Sequence, residues 1–341
     1  MIKSINYSIS ANDVLNNPEF PARLRWMSEA GVDTLWLYGF HYGHYDSEAE
    51  QVYQAKRRLE EMGFGTGVIS LPVGHPGNSL NPNDPDVQLA ISKNWRYRVD
   101  CNGENVYYCG CIEDRMTADN VEAARMYAQM GFTRHFYDDD LRLSNLDDTV
   151  HGCFCDDCIA KFNALAGLKL SREQLRAACT GAAGMEDIHA AWEQFNCDKL
   201  THFMEATCIP GMISGIMVMF TGGRRHGISI PDIRRVAPGC LFRVGEYHFT
   251  DAKYTAPGGK AALAQGVRDH LALIGDNPAY SESTVFPAEA LSPENLIDKI
   301  RLELSLGLRN IFLMSGTWFM SEPYWRAVAA ALPELRELAA D

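Results

Sequence analysis

Three thiols fall within six residues in Cys153-Phe154-Cys155-Asp156-Asp157-Cys158. Sulfurs offered from one tight turn suit a tetrahedral metal site, whose fourth ligand must then come from elsewhere in the chain. Cys101, Cys109 and Cys111 lie upstream as candidates. A site closed by four cysteines is structural, since no position stays open for a reacting group. Metal-free cysteines are the plainer alternative, but clustered reduced thiols are prone to oxidation, which disfavours it. Cys179, Cys197, Cys208 and Cys240 are scattered and read as core residues.

Carboxylates form a second pattern. Asp138-Asp139-Asp140 follows an apolar run over residues 132–137 and precedes Arg142. Extended backbone sends Asp138 and Asp140 to one side and Asp139 to the other. Three adjacent acids repel, so at least one is expected to pair with Arg142 or a ligand, or to have a raised pKa. Glu246 and Glu282 end two later apolar runs, in Arg243-Val244-Gly245-Glu246-Tyr247-His248 and Tyr280-Ser281-Glu282. Paired carboxylates are what glycosidic cleavage requires: one protonates the leaving oxygen, the other attacks the anomeric carbon or activates water. The plainer readings are a solvated acidic turn for the aspartates, and for Glu246 a partner to Arg243 or His248. Trp36 and Tyr38 near the end of the second apolar run, and Trp318 after the last, offer ring faces to a sugar, although each alone is more often a core residue.

These residues need elements to position them. Short apolar runs alternate with helical patterns along the chain. The runs cover residues 4–10, 34–40, 67–72, 133–138, 215–220, 241–249, 279–285 and 310–315. Helices are expected over 48–62, with Ser47 and Glu50 as a capping box, and over 118–130, capped by Thr117. Further helices are expected over 260–274, 293–306 and 323–338. Eight strand–helix units in this order predict a single-domain (β/α)8 barrel over residues 1–341, with a doubly wound open sheet as the runner-up. The longest excursion, about residues 141–210, follows the fourth strand and would sit on the catalytic face. Gly63-Phe64-Gly65-Thr66-Gly67 lacks the dinucleotide-binding spacing and precedes a strand instead of opening a helix.

Composition narrows the ligand. With 31 basic against 44 acidic residues the net charge is −13, which disfavours nucleic acid, anionic membranes and polyanionic substrates. A neutral carbohydrate remains compatible. No long apolar run and no signal-peptide pattern is visible, and ten cysteines then fit a reducing compartment, so a cytoplasmic location is expected.

The stretch over residues 138–158, a carboxylate cluster closely followed by C-x-C-x-x-C, resembles the glycoside hydrolase family 42 β-galactosidases and related barrel hydrolases. The resemblance implies a structural zinc held by Cys153, Cys155, Cys158 and an earlier cysteine, Cys111, with Cys109 as its rival. It sets Asp139 on the family's Asn, Asp140 on its acid/base Glu and Glu282 on its nucleophile. Asp in place of Glu makes the acid/base one methylene shorter, and a single barrel without the family's later domains is expected. The implied activity is a retaining, exo-acting glycosidase for a β-linked galactose-like sugar, with carboxyl groups about 5 to 5.5 Å apart. Trp36, Tyr38, Asp138, Asp139, Arg142, Glu246, His248 and Trp318 would bind the sugar. An inverting hydrolase needs a wider separation, of about 6.5 Å or more. A divalent-metal-dependent sugar isomerase or epimerase built on the aspartates, Glu246 and His248, and a non-catalytic sugar-binding barrel, are the other readings. Association into a homo-oligomer is left open.

Overall fold

The structure, a computed structural model, describes the chain except residues 75–78, 86–88, 139–140, 144–147, 220–222, 246, 317–318 and 340–341. Its centre is a ring of parallel strands: β1 (Ser4–Ile9), β2 (Thr34–His41), β3 (Gly65–Leu71), β4 (Arg134–Tyr137), β5 (Ile213–Met219), β6 (Leu241–Gly245), β7 (Ala279–Tyr280, resuming at Ser283–Thr284) and β8 (Asn310–Met314). Each pairs with the next, and β1 pairs with both β2 and β8, so the sheet closes. A doubly wound sheet would leave two open edges. The chain is therefore a (β/α)8 barrel.

The helices, in chain order, are α1 (Ala11–Asn16), α2 (Phe20–Glu29), α3 (Ala49–Glu61), α4 (Asp114–Gln129), α5 (Asp156–Ala166), α6 (Arg172–Cys179), α7 (Glu186–Ala206), α8 (Ile230–Val236), α9 (Asp251–Tyr254), α10 (Gly259–Ile274), α11 (Pro293–Ser305) and α12 (Glu322–Leu338). Two starts differ from expectation. α3 begins one residue late, because Gln51 Oε1 accepts from the Glu48 N–H at 3.2 Å while Ser47 Oγ turns to Asp46. α4 begins at Asp114, ahead of Thr117; an acid in the first turn favours the helix dipole, and Arg115 and Asp119 pair at 3.0 Å along its surface.

Inside the ring one layer comes from the even strands, as barrel geometry requires. The Trp36 ring (β2) meets Phe136 (β4) edge-on at 5.7 Å and stacks on Phe312 (β8) at the same distance. The guanidinium of Arg243 (β6) lies over Phe136 and Phe312 at 6.0 and 5.4 Å. Gly67 on β3 makes room, since a Cβ there would fall 2.4 Å from the indole. Trp36 is fully buried and its Nε1 donates to Asn6 Oδ1 at 3.0 Å. Neither ring face remains for a ligand, so the expectation that Trp36 stacks on a substrate is corrected: it is core.

Two excursions leave strand ends at one face. The first follows β3 and contains an antiparallel ribbon, Tyr97–Val99 with Asn105–Gly110. The second follows β4 and carries α5 and α6. It is shorter than the expected span to residue 210, because α7 returns to the barrel: Phe203 meets Tyr137 of β4 edge-on at 5.3 Å. Buried Arg98 of the ribbon sews the excursions together, donating to Gly152 O at 3.0 Å and pairing with Asp148 at 2.8 Å. Phe154 N–H adds a bond to Val99 O at 2.8 Å. Among the described residues no helix is long and apolar enough to cross a membrane.

Candidate active site and metal centre

Alternation along β4 decides what reaches the barrel mouth. His135 and Tyr137 face the helices, Phe136 faces the interior, and Asp138 follows on the interior side. Asp138 N–H still bonds Ser70 O at 2.8 Å, so the ladder fixes it just beyond the strand. Arg243 rises from the aromatic layer beneath. Its Nη2 pairs with Asp138 Oδ1 and lies 3.3 Å from Glu282 Oε1. All three residues are at most 3% exposed. Two such ion-pair contacts on one nitrogen place the carboxylate oxygens within about 6 Å of each other. A guanidinium carries only donors and a positive charge, so it favours acceptor oxygens of ionised carboxylates beside it.

Glu282 sits where β7 leaves the ladder. Gly245 at the end of β6 lies beside it, where a Cβ would fall 2.8 Å from Val218 O, too close to fit, and 3.4 Å from Glu282 Oε2. Beyond β6, Tyr247 takes a left-handed backbone, φ 55°, which ends the strand short of the expected residue 249. Its hydroxyl accepts from Arg142 Nη1 at 2.8 Å, tying the β4 and β6 loops together. His248 is buried beside it. Half-buried Tyr38 donates to Gly316 O at 2.8 Å, at the end of β8, and burial raises its phenol above the ordinary value. The structure thus brings Asp138, Arg142, His248 and Glu282 to one end of the barrel, with Tyr38 on its rim. Asp139, Asp140, Glu246 and Trp318 lie outside the described residues.

Sequence reasoning passed over Arg243, Tyr247 and Lys299. Arg243 was weighed only as a partner for Glu246. Lys299 left a clearer signal: with Glu303 it interrupts the apolar stripe of Leu296, Ile300 and Leu304 on α11, and both charges are fully buried. Charges on a core stripe mark a built polar site.

At the joint of the excursions, the sulfurs of Cys111, Cys153, Cys155 and Cys158 all lie within 4.8 Å of one another. Cys158 stands in the first turn of α5, Cys155 is its N-cap and Cys153 just precedes it, while Cys111 comes from the chain just after the ribbon, where its N–H bonds Arg96 O at 2.8 Å. Cys109 is buried elsewhere, against the barrel core. Val99 N–H points at Cys153 Sγ at 3.4 Å, and Lys199 Nζ of α7 lies 3.2 Å from Cys158 Sγ. Hydrogen bonding from Cys111 lowers the Cys153 thiol well below its ordinary value and brings Cys155 down to about 6. Burial acts to lower the Lys199 ammonium, but Cys111, Cys158 and Cys153 outweigh it and raise the group overall. A tetrahedron of metal–sulfur bonds of about 2.3 Å has sulfur–sulfur edges of about 3.8 Å, and Cys111 to Cys158 measures 3.6 Å. The cluster fits a metal ion.

No family model matches the chain, and no curated protein matches it. Among solved structures it is similar to the PgaB (BpsB) glycoside hydrolase domain from Bordetella bronchiseptica, with a TM-score of 0.60 and 13% identity over 99% of this chain and 98% of that one. A GH18 chitinase from Pseudoalteromonas aurantia aligns at a TM-score of 0.48 and 11% identity, over 96% and 100% of the two chains. The second score is too low to carry an argument. At 13% identity the first likeness establishes the barrel and leaves the chemistry to the site itself.

Proposed function

We propose that this barrel is a glycoside hydrolase acting on a small carbohydrate. The observation that carries the proposal is the buried Asp138–Arg243–Glu282 arrangement at the ends of β4, β6 and β7. Strand ends at this face are where barrels place their chemistry. The barrel likeness to a protein described as a glycoside hydrolase domain adds to it.

In the finer proposal the enzyme is retaining and exo-acting on a β-linked galactose-like sugar. Glu282 attacks the anomeric carbon; the guanidinium 3.3 Å away favours its ionised form, which a nucleophile requires. Asp138, beside the same guanidinium, is likewise favoured in its ionised form, and the proton-donor role is assigned in this proposal to Asp140, two residues further along the chain. Asp138 instead shares Arg243 with Glu282 and fixes its orientation. Asp139, Arg142, Glu246, His248, Tyr38 and Trp318 complete the sugar pocket in this proposal.

For the cysteine cluster the proposed ion is a structural zinc. Four sulfurs with no oxygen or imidazole are a soft donor set that selects zinc over magnesium or calcium. When bound it joins the two excursions; Cys111, Cys153, Cys155 and Cys158 hold it and Lys199 offsets part of their negative charge.

Hydrolysis of a panel of aryl glycosides by the wild type, Asp140→Asn and Glu282→Gln tests the reading. One sugar should be released with its anomeric configuration retained, and each variant should lose at least about a hundredfold in rate. No cleavage of any panel member by folded, metal-loaded protein would sink it.

A further inference from the structure

Between Tyr280 and Ser283, β7 departs from regular pairing, and Glu282 lies in that gap. Thr284 N–H turns back to Glu282 O at 2.7 Å in place of a neighbouring strand. Phe312 N–H of β8 finds no carbonyl opposite and bonds the Ser281 hydroxyl at 3.1 Å. Ser281 Oγ in turn lies 2.7 Å from Ser283 Oγ, which donates to Glu303 Oε2 at 2.7 Å. From the same face of α11, Lys299 Nζ donates to Glu282 O at 2.8 Å and to His248 O at 3.3 Å.

Lys299 and Glu303 approach each other only to 4.0 Å although both are fully buried. A loose pair of this kind stabilises a fold less than two apolar side chains of the same volume would. Their close hydrogen bonds run instead to the backbone and hydroxyls that carry Glu282, and to the loop that carries His248. A charge-assisted donor on Glu282 O fixes the peptide from which the carboxylate projects toward Arg243. Small misplacement of a reacting group carries a large kinetic cost, since an error of about 1 Å can lower a rate about a hundredfold.

We infer that Lys299 and Glu303 are positioning residues, which brace the break in β7 and thereby set the Glu282 carboxylate against Arg243. The kinetic part of this inference rests on the reading of Glu282 as nucleophile.

The test uses Lys299→Met, Glu303→Gln and the double variant Lys299→Met/Glu303→Leu. The double variant removes both buried charges at once and so keeps the protein foldable where a single change does not. Two readouts are taken on folded protein: kcat and KM on the aryl glycoside that the wild type cleaves, and crystal structures of the wild type and double variant. We expect kcat to fall about a hundredfold with KM changed by no more than about threefold, the pattern of a lost transition-state interaction. We also expect the Glu282 carboxylate to move about 1 Å or more from its place beside Arg243. A double variant with unchanged kcat, or with Glu282 unmoved on Arg243, overturns the inference. If the wild type cleaves no glycoside, the hydrolase reading fails by itself, and the displacement of Glu282 still decides the positioning role.

Discussion

At the barrel mouth one guanidinium lies between two carboxylates; at the joint of the excursions four thiols converge with one ammonium beside them. Both clusters are largely buried and both are built from charge, but they are completed differently. Arg243 is held from below by Phe136 and Phe312, and its partners stand at the edges of strands whose spacing the barrel dictates. The mouth therefore takes its geometry from the scaffold. The cysteine joint takes its geometry from a short turn and a ribbon, tied through Arg98 and Val99. Four thiols brought this close repel once ionised, so a metal cation is the natural centre of the arrangement. A rigid frame can hold a reactive group in place, whereas a joint between loops needs its own fastener.

Breaking the mouth should have the largest effect. Arg243→Met leaves two buried carboxylates facing each other without their shared cation, a loss of about 3 to 5 kcal/mol by the precedent of broken buried pairs. Urea unfolding followed by circular dichroism measures it. A change below about 1 kcal/mol, the size expected of an exposed pair, would show that the arrangement does not hold in solution.

The joint should yield to a smaller change in charge. Lys199→Met should weaken zinc binding about tenfold to a hundredfold, the range expected for partners of metal ligands, and Lys199→Arg should restore most of it. Competition with a chromogenic chelator reads the affinity directly. Equal affinity in all three proteins would remove Lys199 from the site. The mouth should be indifferent, with hydrolysis by zinc-loaded Lys199→Met close to wild type.

Acid should separate the regions more gently. Burial lowers His135, on β4, from 6.5 to about 3. A depressed histidine stays neutral in the folded state while the unfolded chain takes up protons. Its contribution is thus complete above pH 6.5 and is lost as the pH falls from there toward 3. The slope reaches about 1.4 kcal/mol per pH unit. His151, in the excursion, is lowered to about 4, by burial and by Arg225, and follows the same sign; its partial exposure makes the effect smaller. His135→Gln keeps a partner for Ser70 and should flatten the decline of the urea midpoint below pH 6.5. An identical slope in wild type and variant would contradict the assignment.

The barrel was legible because each strand is a short apolar run closed by a turn signal, and all eight runs became strands. Their ends were less legible. Residues 241–249 read as one strand, yet Tyr247 turns left-handed to meet Arg142, a contact with no trace in local sequence. The run over 279–285 hides a break that depends on Ser281, Lys299 and Glu303 meeting across two elements. α7 was missed for a different reason. Trp192 and Phe195 face the cysteine excursion while Leu200, Phe203 and Met204 face the barrel, so its apolar residues spread over more than one stripe. Three sulfurs of the joint stand in one turn and announce themselves. The residues of the mouth, Asp138, Arg243 and Glu282, come from three strands, and only the closed ring makes them neighbours.

The most direct test of the central claim is covalent trapping. A 2-deoxy-2-fluoro glycoside with a good leaving group, in the sugar selected by the aryl panel, slows release of a glycosyl-enzyme intermediate enough to locate it. Peptide mass spectrometry should then find one fluorosugar on the peptide containing Glu282, and none in Glu282→Gln. A label on a different carboxylate, or none while the wild type hydrolyses the parent glycoside, would contradict the account.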